Sequence, residues 1–365
     1  MKPPFVLTLA SAGFEAARRL EGLPAGHRSR HLHGHGFEAT VFAELPPGFA
    51  AYPGGEVDAL RERLEAALAP LDHGTLNQLI EEPGDAQLAR WIRRQLGLPG
   101  IERVALRSNA GRGVDLDRDA RAQVWRRYRF QAAHRLPHVP LGHKCGRLHG
   151  HGFEAVVHAR LGPGDASAEA GYDRLDDAWA PLHMALNYRC LNEIEGLDNP
   201  TSENLSAWIW QRLQPSLPGV AGVTVFETGS CGAHFDGNHY RIWKEFTLDS
   251  AVRLAHAPEG SARRRLHGHT YRLRLQLEAP LDALLGWAQD FGDVKTLFDP
   301  IFKSIDHQPL HELPGLADGD AASLACWILA RAQPLLPALA RVDLHETPGT
   351  GCQAARTNDG PAMPV

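Results

Sequence analysis

Hydrophobic and polar positions along this chain follow one pattern that is run through three times. Each run opens on a strand-like segment (VLTLASAGFEAA, YRFQAAH, AVRLAH) and passes into a turn rich in Gly, Arg and His. A second strand starts at or just after a His-Gly-His tripeptide and alternates with period two: GFEATVFAEL, GFEAVVHARL, TYRLRLQLEA. An amphipathic helix follows, with Val57, Leu60, Leu64, Ala67, Leu68 and Leu71 in the first run and Val294, Leu297, Phe298, Ile301, Phe302 and Ile305 in the third. The next helix carries Trp91-Ile92, Trp208-Ile209 or Trp327-Ile328, and in the second run Asn199-Pro200-Thr201-Ser202-Glu203 reads as its N-cap region. A closing strand (IERVALRS, VAGVTVFET, ALARVDLHET) ends each run. Every run is thus β-β-α-α-β with one more strand expected beyond: an α+β unit, an antiparallel four-stranded sheet with two helices on one face.

Three markers keep one period. The His-Gly-His tripeptides start at His33, His149 and His267, the tryptophans recur 117 and 119 residues apart, and Asp72-His73, Asn187-Tyr188 and Asp306-His307 recur 115 and 119 apart. A repeat near 117 residues is far too long for a solenoid and close to an ordinary domain, so the chain reads as three tandem domains, 1–115, 120–238 and 240–352. Linkers are placed near SNAGRGVDLDRDA and GSCGAHFDGNH, and residues 353–365 are expected to be a disordered tail. With 365 residues and 43% hydrophobic content there is enough apolar material for real cores. Lys plus Arg number 38 against 43 Asp plus Glu, which argues against a dedicated nucleic-acid binder. No run of 18 apolar residues exists, so no membrane span is expected. The opening MKPPFVLTLASA is read as part of the first repeat, not as a leader. Five cysteines without paired short spacing point to a reducing cytoplasm.

The compositional outlier is histidine, 20 residues. In the second repeat Phe130, Ala132 and His134 alternate along the first strand, and His149 and His151 share one face of the second. If those strands pair, three imidazoles converge and leave a fourth position open, the arrangement of a catalytic zinc. His256, His267 and His269 are read as the same triad in the third repeat. Cys145 lies at the mouth of the turn beside Lys144 and Arg147, neighbours expected, with a metal nearby, to lower its thiol pKa and make it a proton carrier. Asp72-His73 and Asp306-His307 each set a histidine beside a carboxylate at the end of the first helix.

These residues resemble a known family. Phe-x-Ala-Ala-His134, Cys145-x-x-x-His149-Gly-His151, Asn199-Pro-Thr-Ser-Glu-Asn204 and Phe226-Glu227-Thr228 look like the pterin synthases of the tunnelling fold. That family contains 6-pyruvoyl-tetrahydropterin synthase and 6-carboxy-5,6,7,8-tetrahydropterin synthase, the latter on the route to queuosine; the Cys-to-His spacing is similar to the carboxy branch. The resemblance implies that the three domains close into a pseudo-trimeric twelve-stranded barrel with sites between neighbours, and that two chains stack as a homodimer. It further implies a zinc-dependent lyase acting on 7,8-dihydroneopterin triphosphate, releasing acetaldehyde and triphosphate. Cys145 and His307, oriented by Asp306, would move protons, Glu227 would hold the 2-amino and N3 edge of the pterin, and Thr201 and Ser202, near a helix N-terminus, would add backbone donors. A pyruvoyl-forming or related side-chain lyase, and a non-catalytic pterin binder, are the alternatives.

Departures from the pattern are informative. The first repeat has Arg18, Ser29 and Arg107 where the first zinc histidine, the cysteine and the glutamate belong; the second has Asn187-Tyr188 for Asp-His; the third has Arg263 for the cysteine and Gly319-Asp320-Ala321 for Pro-Thr-Ser. A complete site must therefore be composite. If the metal half of each repeat faces the Asp-His half of the next, Cys145 meets Asp306-His307 and the third repeat's metal half meets Asp72-His73. In the opposite direction, Cys145 meets Asp72-His73. The first arrangement strands nothing and is preferred.

Overall fold

The computed structural model describes residues 3–162, 168–282, 285–316 and 318–357. Repeat one holds β1 (Phe5–Arg18), β2 (His33–Ala43), α1 (Glu56–Leu68), the two-residue β3 (Gly74–Thr75), α2 (Asp85–Leu96), β4 (Ile101–Asn109) and β5 (Arg112–Leu116). Repeat two holds β6 (Ala122–His134), β7 (His149–Arg160), α3 (Ala168–Leu186), the short β8 (Arg189–Cys190), α4 (Ser202–Leu213), β9 (Val220–Thr228) and β10 (Cys231–Phe235). Repeat three holds β11 (Tyr240–Val252), β12 (His267–Glu278), α5 (Phe291–Ile305), α6 (Ala321–Ala332), β13 (Leu339–Thr347) and β14 (Thr350–Ala355).

The twelve long strands form one antiparallel sheet, and pairing of β14 with β1 from Phe5↔Ala355 to Leu9↔Gly351 closes it into a barrel. Closure leaves no sheet edge to pair with other chains. The six helices cover the outside, so one face of every strand meets helices and the other meets the lumen. Apolar side chains fill the helix-facing layer, for example Phe130, Ala132, Phe153, Ala155 and Val157 in repeat two. The lumen face is polar: Arg127 and Arg129 both pair with Glu154, and Arg272 and Arg274 with Glu245. Among the described residues no helix is long and apolar enough to cross a membrane.

Two sequence expectations are corrected here. The predicted linkers carry the fourth strands, β5 and β10, and the predicted tail begins too early, since Gln353–Ala355 belong to β14. Each of these strands puts polar or small residues on the lumen (Asp115, His234, Gln353), which hides the alternation that marks a strand. Residues 358–365 of that tail lie outside the described residues.

Candidate metal centre between repeats two and three

Register builds the centre. Along β6 and β7, His134 stands opposite His149 and Ala132 opposite His151, so all three imidazoles leave the same helix-facing side. Ring centroids lie 4.6 Å (His134–His149), 5.2 Å (His134–His151) and 5.0 Å (His149–His151) apart, above the Phe153 ring. His134 Nδ1 rests 3.0 Å from the Pro200 carbonyl and His149 Nδ1 2.7 Å from the Arg147 carbonyl. Each carbonyl requires a proton on Nδ1, which leaves both Nε2 lone pairs facing inward. His134 Nε2 and His151 Nε2 are buried with no hydrogen-bond partner. Burial holds the His134 and His151 imidazoles below their ordinary pKa, so they stand neutral, the form a metal needs. Glu227, on β9, completes a group of four whose ligand atoms all lie within 4.8 Å of one another. Three imidazoles and a carboxylate converging on one point fit a divalent cation, and imidazole nitrogen with carboxylate oxygen suits zinc.

Around this centre, Ser202 Oγ donates to Glu227 Oε2 at 2.9 Å. Thr201 is committed to structure: its hydroxyl caps α4 by accepting from the Asn204 N–H and donates to the Gly286 carbonyl of repeat three. Cys145 sits in a single 3-10 turn with its N–H on His143 Nδ1 at 3.2 Å. Its expected low thiol pKa belongs to the metal-bound site, and the protein groups alone act the other way. Burial, followed by the Glu227 charge, raises it, and Lys144 opposes without prevailing.

Repeat two's metal half abuts repeat three. The Asn199 side chain and Thr201 bond the Leu285 and Gly286 carbonyls, Glu203 accepts the Ala288 N–H, His143 Nε2 lies 3.6 Å from Asp290, and the Glu245 N–H meets the Ser230 carbonyl next to β10. Within that repeat-three half, Asp306 and His307 flank β11: Asp306 accepts the Asp249 N–H, and the His307 N–H meets the Asp249 carbonyl. The exposed His307 ring keeps its Nδ1 2.9 Å from Asp306, whose hydrogen bond raises the imidazole above its ordinary pKa. His73, Tyr188 and His307 share a left-handed backbone, φ 54°, 57° and 55°, so the same turn recurs whether or not Asp-His occupies it.

The second triad expected in repeat three does not assemble. β11 ends at Val252, and Val252 stands opposite His267 as His134 stands opposite His149. His256 lies beyond the strand, exposed, and pairs with Asp318. Among the described residues the repeat-two group is the one cluster able to hold a metal. Instead, Arg263 closes the interface between repeats three and one. It makes two 2.7 Å bonds to Asp58, one of 3.0 Å to Glu346 and one of 3.3 Å to His269 Nε2. Between repeats one and two, Arg18 stands opposite His33 and is fully buried. It donates to the Pro83 carbonyl and to Asp85 (2.7 Å), lies 3.2 Å from Glu169 of repeat two, and packs over Phe37. Sequence reasoning flagged Arg18 as a lost ligand and Arg263 as a lost cysteine but missed the acids they bind, one from the same repeat (Asp85, Glu346) and one from the neighbouring repeat (Glu169, Asp58).

Two of the three repeats match a known family. The family described as 6-pyruvoyl tetrahydropterin synthase matches residues 123–238 and again 241–357. A 6-carboxy-5,6,7,8-tetrahydropterin synthase of Synechocystis sp. is 32% identical over 119 residues, 31% of this chain and 91% of that protein. A dihydroneopterin monophosphate aldolase of Pyrococcus furiosus is 33% identical over 101 residues, 27% of this chain and 81% of that protein. Among solved structures, the 6-pyruvoyl tetrahydropterin synthase of Caenorhabditis elegans aligns with a TM-score of 0.29 at 18% identity, covering 32% of this chain and 95% of its own.

Proposed function

Because the chain belongs to the 6-pyruvoyl tetrahydropterin synthase family, whose members are lyases acting on pterins, we propose that it is a zinc-dependent 6-carboxy-5,6,7,8-tetrahydropterin synthase of the cytoplasm. Its substrate is then 7,8-dihydroneopterin triphosphate, and its products are carboxytetrahydropterin, acetaldehyde and triphosphate. The observation that carries this reading is the convergence of His134, His149, His151 and Glu227, the one such group among the described residues, with Cys145 in the adjoining turn. When bound, zinc supplies Lewis acidity for the hydroxyls of the substrate side chain. The chain's own groups do the rest. Glu227, steadied by Ser202, accepts from the 2-amino and N3 donors of the ring. Cys145 on one side, and His307 paired with Asp306 on the other, carry protons to and from the side chain. The Thr201 hydroxyl caps α4 and ties it to repeat three, at the helix N-terminus where Thr201 and Ser202 are expected to offer backbone donors to the substrate.

The shared interface of repeats two and three supports pairing Cys145 with Asp306-His307 in preference to Asp72-His73. Two chains stacking as a homodimer is part of the same proposal, supported by exposed Leu32, Leu148 and Leu266 at matching positions before β2, β7 and β12. Metal analysis with product identification tests the function. One zinc per chain and acetaldehyde release are expected; a pyruvoyl product would move the chain to the other branch. Metal-free protein that binds pterin without turnover would refute the lyase reading.

A further inference from the structure

Four possible ligand atoms converge in repeat two, and the fourth is unlike the rest. Glu227 Oε2 takes the Ser202 proton, which leaves Oε1 3.5 Å from the unpartnered His151 Nε2. Two ligands held about 2.0–2.1 Å from one tetrahedral ion lie about 3.3 Å apart. The carboxylate oxygen is therefore set at the spacing of two ligands of one ion.

Repeat three supplies an independent observation. Its aligned pair, Glu346 and His269, lies 3.8 Å apart and shares one cation: Arg263 gives 3.0 Å to Glu346 Oε2 and 3.3 Å to His269 Nε2. The pair keeps its geometry and closes on whatever positive group stands there.

We propose that Glu227 is the fourth metal ligand while the site is empty of substrate, and that it leaves the metal for the N–C–N edge of the incoming ring. This rests on the metal centre and ring recognition proposed above. Glu227 cannot serve both at once, because Ser202 holds one oxygen and presenting two acceptors to adjacent N–H donors turns the other away from His151. Seating the ring and opening the coordination position thus become one event. No covalent bond changes; the carboxylate exchanges one cation for two hydrogen-bond donors.

The test uses the full chain. Zinc affinity is measured by competition with a chromophoric chelator for wild type, Glu227→Gln and Glu346→Gln. Loss of about tenfold or more is expected for the first variant and none for the second. In cobalt-substituted protein, 2-aminopyrimidin-4-one, which carries the ring edge but no side chain, should shift the visible cobalt bands of wild type and leave those of Glu227→Gln unmoved. Wild-type zinc affinity in Glu227→Gln overturns the proposal, as does a shift common to both proteins. If that variant does not fold, wild-type cobalt bands that stay fixed while dialysis shows the ring bound overturn it alone. A chain that takes up no zinc refutes the metal centre itself, a separate failure.

Discussion

Arg18→Met removes the guanidinium that closes the interface between repeats one and two while keeping much of its apolar stem. Arg18 and Asp85 are fully buried and Glu169 nearly so, so the loss strands two carboxylates away from water. Burial opposes the charge on Arg18, yet Asp85 and Glu169 outweigh it and hold its pKa above the ordinary value. Removing one partner of a buried pair costs about 3–5 kcal/mol. Part of that is relieved here. Burial and Asp85 already push Glu169 up to about 7 against the pull of Arg18, so without Arg18 it takes a proton at neutral pH. Asp85 keeps donors from Ser108 at 2.8 Å and Tyr172 at 2.7 Å. The net expectation is about 3 kcal/mol, read as a fall of about 6 °C in the thermal midpoint. The double variant Arg18→Met/Asp85→Asn should recover a good part of this, because the remaining carboxyl can stay neutral. Zinc content should not change in either protein. An Arg18→Met midpoint within about 1 °C of wild type, or a double variant less stable than the single, would refute the view of this interface as a buried ionic clasp.

Metal analysis should find one zinc per chain, none in His149→Ala, and one in His256→Ala, whose ring pairs with Asp318 away from the centre. Cys145→Ala and His307→Ala should each lower turnover about 10²–10⁴-fold with zinc retained, while His73→Ala should stay near wild type; a dead His73→Ala would reverse the direction of pairing around the ring. Glu203 is fully buried, and burial pushes its carboxyl up to about 7. A raised carboxyl pKa means that the unfolded chain ionises first, so Glu203 costs nothing below about pH 4.5 and most above pH 7. Glu203→Gln should therefore gain about 3 kcal/mol on wild type between those limits, measured by denaturation at a series of pH values, and a constant difference would contradict this.

The repeat, the helices and the second strands were legible because apolar side chains face the helices on a regular period. The metal group of repeat two followed from the same alternation, with His149 and His151 two apart and His134 on the paired strand. What failed was counted from the wrong end. His134 and Val252 each precede the His-Gly-His of their repeat by fifteen residues, and His256 precedes His267 by only eleven. Strand register, not residue identity, decides which side chain can join the triad. The fourth strands were illegible for the opposite reason, since a polar lumen leaves no hydrophobic alternation. Arg263 and Asp58 stand 205 positions apart, a contact that only closure of the barrel creates. For the Cys145 thiol, sequence shows the neighbouring cations but not the burial and the Glu227 charge that outweigh them among the protein groups.

Fusion into one chain explains how such different interfaces coexist. In a ring of three identical separate chains, a change at one position stands at every interface, so an arginine at the position of Arg18 would displace a metal ligand from all sites together. Here the aligned positions hold Arg18, His134 and Val252, those of the cysteine hold Ser29, Cys145 and Arg263, and those of the carboxylate hold Ser108, Glu227 and Glu346; Arg107, expected there from sequence, stands opposite Glu38 as Phe226 stands opposite Glu154. A metal centre of unpaired inward acceptors is unfavourable in the empty protein, since buried polar groups without partners each carry a desolvation penalty. Three such centres would multiply that penalty around one barrel. Arg18 and Arg263 remove it twice, by placing fixed cations where the open centre needs an exchangeable one. The two closed interfaces then hold the barrel together so that the third can stay polar and open. On this reasoning stability and chemistry are assigned to different interfaces of the same fold, and changes at Arg18 or Arg263 should be felt in stability before they are felt in catalysis.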